Sequence, residues 1–92
     1  LTALQEVDDA MTHYRHASAE VVAMQKAFDQ AEITNQLAID LYKKGLINFQ
    51  NVLDAQRSLL QYEDNLVVAK SSVSLSLVQL YRALGGEWNN EQ

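Results

Sequence analysis

The chain has 92 residues, with twelve acidic against seven basic side chains, a formal net charge of -5, three Gly, no Pro and no Cys. This length allows one small domain at most. The absence of Cys excludes a disulfide framework, a thiolate metal site and a thiol nucleophile; the scattered bases argue against nucleic acid, and no apolar run reaches membrane-spanning length.

With Gly45, Gly85 and Gly86 as the only strong backbone breakers, few turns and unusually long elements are expected. The chain starts at Leu1 and carries no signal peptide, which suggests an excised piece of a larger protein.

The first predicted element covers roughly 1–44. Ala3, Ala10, Ala17, Met24, Ala31 and Ala38 recur every seventh residue, interleaved with Val7, Tyr14, Val21, Phe28, Asn35 and Tyr42. Alternating steps of four and three make this a heptad seam, one column mostly small and the other mostly large. Small residues let helix axes approach closely while the large column fills the space beside them. Asn35 is the single polar residue of the seam, read as a register-fixing contact. Asp9, His13, His16 and Glu20 follow steps of four, three and four on one helix face. Two imidazoles and two carboxylates could hold a divalent cation, but a solvated acidic face is the preferred reading, so no metal site is assigned.

A break follows. Lys43 and Lys44 suit the last turn of a helix, Gly45 suits the left-handed position after it, and Asn48 suits the start of the next helix. A junction this short makes the two helices antiparallel.

The second predicted helix covers about 49–84. Its seam is Val52, Leu59, Leu66, Val73 and Leu80 with Ala55, Tyr62, Ala69 and Ser76. Asp54 lies in its first two turns with Asn51 one turn earlier. It is either a carboxylate interacting with the amides of the helix start or, if copies ring an axis, one member of a convergent acidic ring. Arg82, Gly85 and Gly86 are expected to stop the helix, leaving 87–92 as a frayed tail in which Trp88 alone is worth burying.

A second apolar set flanks each seam: Leu4, Met11, Ile33, Leu37, Ile39 and Leu41, then Leu53, Leu60, Val67 and Tyr81. Two helices cannot cover two stripes, so further neighbours are implied and the segment reads as an assembly element. Nothing reads as an enzyme: there is no phosphate-cradling glycine loop, and no nucleophile has a base in reach. No cofactor is implied.

Tyr42-Lys43-Lys44-Gly45, the run Val52-Leu53-Asp54-Ala55-Gln56-Arg57-Ser58-Leu59-Leu60, and the ending Leu80-Tyr81-Arg82-Ala83-Leu84-Gly85-Gly86-Glu87-Trp88 resemble the outer-membrane efflux proteins. These are the TolC-like outer-membrane factors of tripartite export systems, and the ending is similar to the lipoprotein subgroup that works with resistance-nodulation-division pumps. The resemblance is strongest over 42–88. It implies an all-α antiparallel hairpin, the last periplasmic hairpin of a channel whose homotrimer forms an α-helical barrel below the outer membrane of a Gram-negative bacterium. It further implies that Tyr42, Lys43, Lys44, Gly45, Leu46, Ile47 and Asn48 form a tip docking a periplasmic adaptor protein, with an inner-membrane pump as an indirect partner. Asn51 and Asp54 match positions where some members carry two acidic residues at the closed entrance; only Asp54 is acidic here. Leu41 stands where many members have Arg. The alternative reading is a freestanding coiled-coil module that dimerises into a four-helix bundle.

Overall fold

The computed structural model describes the backbone of residues 3–90 and the side chains of residues 4–85. Two helices, α1 (Ala3–Lys43) and α2 (Phe49–Asn90), form an antiparallel hairpin, with no strand among the described residues. No described helix is long and apolar enough to cross a membrane.

The turn has the predicted chemistry. Gly45 has φ 74°, and it alone among the described residues has a positive φ. That conformation is nearly free for glycine and costs a side chain about 1–2 kcal/mol. It lets the Gly45 amide donate to the Tyr42 carbonyl at 2.9 Å and the Leu46 amide donate to the Leu41 carbonyl at 3.0 Å. This pair of bonds is the Schellman closure of a helix C-terminus, and it satisfies carbonyls that would otherwise be orphaned. At the restart, Asn48 Oδ1 accepts from the Asn51 backbone amide at 3.2 Å and from Asn51 Nδ2 at 3.1 Å. Asn48 is therefore the N-cap of α2.

The hairpin divides into two compact units, Val22–Val67 with the turn, and Leu1–Val21 with Val68–Gln92. In the turn unit Ala31, Ala38, Val52 and Leu66 are buried, and Met24, Phe28, Asn35, Ala55 and Leu59 are half-buried. In the other unit Val7, Ala10, Ala69 and Ser76 are buried, and Ala17, Val21, Val73 and Leu80 are half-buried. Every one of these is a seam position. Two seam tyrosines are more open than their heptad place suggests, Tyr42 at 44% and Tyr62 at 39% exposure. A phenol ring is longer than a two-helix seam is deep, so its polar end stays in water.

One boundary is corrected. α2 does not stop before Gly85 but runs through Gly85 and Gly86 to Asn90. Glycine in a helix costs only about 1 kcal/mol relative to Ala, and a stop needs the left-handed conformation that Gly45 adopts. The Trp88 side chain lies outside the described residues.

The second apolar set is mostly open to water. Leu4, Met11, Ile33, Leu37, Leu60, Val67 and Tyr81 are exposed; Ile39, Leu41 and Leu53 are half-buried. Val22, Val68, Leu75 and Val78 are also exposed and belong to neither predicted set.

Candidate functional site

The chemistry that distinguishes this hairpin gathers at the turn. The tight closure at Gly45 sets Lys43, Lys44, Gly45, Leu46 and Asn48 in water, with Ile47 half-buried. Leu46 is 68% exposed and Phe49 is 51% exposed, so the tip presents apolar surface beside two cationic side chains. A Cβ built on Gly45 would meet nothing within 4 Å, so the space in front of that glycine is open. Tyr42 and Phe49 pair across the turn, their ring centroids 5.3 Å apart and their planes tilted by 58°. Such a tilted aromatic pair adds about 0.5–1.5 kcal/mol and ties the end of α1 to the start of α2. Phe49 was missed by sequence reasoning. It falls outside the heptad columns, and only the closed turn brings it to Tyr42.

Asp54 is exposed on α2, beyond its first turn, and no acidic residue occupies that first turn. The dipole effect of a helix start fades within one turn, so the helix-start reading of Asp54 does not hold. Its carboxylate accepts instead from Gln50 Nε2 at 3.0 Å. Asn51 is tied to the cap Asn48, so the two residues singled out together have different supports. Both line an open groove of about 460 Å³ on the turn unit. Ala31, Ala38 and Ala55 line its seam side, and Gln30, Thr34, Ser58 and Tyr62 share its walls. The small seam column explains the groove: alanines leave the space that larger side chains would fill.

Asn35 keeps its seam position, half-buried, but its Oδ1 is buried without a hydrogen-bond partner. The expected register-fixing bond to a neighbour is absent from that oxygen. The cost of such an orphan is about 1–3 kcal/mol.

Asp9, His13, His16 and Glu20 are all exposed. Asp9 and His13 share an open groove with Glu6, Gln79 and Arg82, where Arg82 adds positive charge. Among the described residues no group of three or more His, Cys, Asp or Glu is placed to hold a metal ion. In the Ser-rich stretch 71–76 of α2, Ser76 is buried, whereas Ser71, Ser72 and Ser74 are exposed.

The family model described as outer membrane efflux protein matches residues 1–86. The chain is 34% identical over 86 residues to the cation efflux system protein CusC of Escherichia coli O6:H1, covering 94% of this chain and 19% of that protein. It is 31% identical over 87 residues to the probable outer membrane lipoprotein SilC of Salmonella typhimurium, covering 95% of this chain and 19% of that protein. It is 32% identical over 89 residues to the toluene efflux pump outer membrane protein TtgF of Pseudomonas putida, covering 97% and 18%. The chain thus spans about a fifth of the length of these relatives. No solved structure matches it significantly. A family match across nearly the whole hairpin means that this chain belongs to the outer membrane efflux protein family.

Proposed function

We propose that this chain is a periplasmic hairpin of an outer-membrane export duct, contributing to passive conduction and docking and carrying no catalysis. The carrying observation is the family match over residues 1–86, spanning both helices and the turn between them. In this reading three copies of the parent protein form the α-helical barrel, and the exposed second apolar set is the surface their neighbouring helices cover. The tip from Tyr42 to Asn48 docks a periplasmic adaptor protein, which links the duct to an inner-membrane pump. Support for the docking part comes from the open space in front of Gly45 and the exposed Leu46 beside Lys43 and Lys44. A partner helix can approach a glycine backbone more closely than any other residue allows. Asn51 and Asp54, close behind the tip, stand at the entrance, where Asp54 supplies one negative charge per copy.

The docking part is tested with Gly45→Asn in the full-length protein. Asn tolerates the left-handed conformation, so the turn is retained while a side chain is placed in the open space. Export in a drug-accumulation assay should fall severalfold while the amount of channel in the outer membrane stays constant. Unchanged export at equal abundance removes the docking role.

A further inference from the structure

Three aspartates of the turn unit share one arrangement. Gln25 Nε2 donates to Asp29 Oδ1 at 3.0 Å, Gln36 Nε2 to Asp40 Oδ1 at 3.1 Å, and Gln50 Nε2 to Asp54 Oδ1 at 3.0 Å. In each case the amide stands four residues before the carboxylate. Each aspartate also has an exposed base at the spacing of a helical ion pair. Lys26 lies three residues before Asp29, Lys43 and Lys44 lie three and four residues after Asp40, and Arg57 lies three residues after Asp54. Among the described residues no ion pair joins any of these bases to its aspartate. All three carboxylates turn to the neutral amide instead.

Side chains on a helix lean toward its N-terminus, so an aspartate carboxylate lies over the preceding turn, where a glutamine four residues earlier meets it. An exposed ion pair has little to set against this bond, since water screens it and a long side chain must be ordered to make it. The choice of partner decides how much charge is left. A carboxylate bound to an amide keeps its whole negative charge, whereas a guanidinium fork covers both oxygens and cancels it. At Asp54 that charge has a use: the residue lines the groove of the turn unit with Asn51, and the proposed function sets both at the entrance of the duct. Resting on that reading, we infer that Gln50 is a positioning residue for the entrance. It holds the Asp54 carboxylate away from Arg57 and so keeps one unneutralised negative charge per copy available to a divalent cation. Arg57 is the competitor built into the same helix. Without Gln50 the carboxylate swings to Arg57, and the protein's own arginine takes the place of the cation.

Planar-bilayer recordings of the full-length protein, with calcium chloride as the blocking salt, test this. Gln50→Leu and Gln50→Ala should each raise the calcium concentration that halves the conductance by roughly threefold, since one such bond shifts an equilibrium about twofold and every copy loses one. Adding Arg57→Gln to either variant should return that concentration to its original value, because the competitor is gone. Arg57→Gln alone should not weaken the block. An unchanged block in both Gln50 variants, a weakened one that Arg57→Gln does not restore, or a weaker block in Arg57→Gln alone overturns the positioning role. Recovery in the double variant shows at the same time that the channel is folded. Asp54→Ala separates the two failures. If calcium blocks that variant as before, the entrance reading falls and takes this inference with it. A block that depends on Asp54 and ignores Gln50 overturns the inference alone.

Discussion

At the residue scale, three positions near the turn carry different physics. Gly45 is needed for its backbone: φ 74° and two closing hydrogen bonds define the reversal, and no side chain crowds it. Asn35 is the reverse case, a residue whose backbone is ordinary and whose side chain is costly. Its buried, unpartnered oxygen predicts that Asn35→Leu stabilises the protein by about 1–2 kcal/mol, seen as a higher urea midpoint at unchanged slope. A lower midpoint would show that the amide has a partner in the assembled protein. Asp54 is exposed and its carboxylate accepts a hydrogen bond from Gln50. If it stands at the entrance, Asp54→Ala should weaken block of the channel by divalent cations in bilayer recordings, since removing one charge per copy removes the local attraction. Undiminished block would take Asp54 out of the gate.

At the element scale, the helices were legible because the heptad columns are long and regular. Among the described residues the fully buried ones all fall on the predicted columns, from Val7 to Ala38 and from Val52 to Ser76. The start of α2 was equally legible, since an Asn side chain can cap the amide three residues on, and Asn48 does so. The end of α2 was not. Gly85 and Gly86 have the composition of a stop, yet glycine permits a left-handed turn without requiring one, and the helix continues to Asn90. This continuation makes a prediction. A Cβ at Gly85 would meet nothing within 4 Å, and the residue is helical, so Gly85→Ala should raise stability by about 0.5–1 kcal/mol in a thermal melt. Destabilisation would mean that the helix ends before this residue in solution.

At the scale of the whole molecule, two helices give each residue one neighbouring element, and the surplus apolar surface has to go elsewhere. Leu60, Ile33, Leu37 and Tyr81 are all exposed. The 92-residue chain on its own should therefore self-associate, with sedimentation velocity showing a concentration-dependent increase in mass. Leu60→Glu should weaken that association by roughly tenfold, the equivalent of about 1.4 kcal/mol of lost apolar burial. A strictly monomeric chain at high concentration would contradict it. The site was only partly legible at this scale. Gly45 and Asp54 stood out by residue type and position, whereas Phe49 and the alanine-lined groove did not, because a ring pair and a groove each need both helices.

The sequence by itself determined that the chain is helical, where it reverses, which columns meet, and that it carries more apolar surface than two helices can cover. Those properties are local or periodic: a left-handed glycine, a capping amide and a seven-residue repeat act over a few residues of one chain. Only the tertiary structure decided which partner each polar group finds. It paired Asp54 with Gln50, Asn51 with the cap, and Tyr42 with Phe49, and it left the Asn35 oxygen with none. Hydrogen-bond and ring partners are set by side-chain geometry at the scale of an ångström, and spacing along the chain does not resolve that.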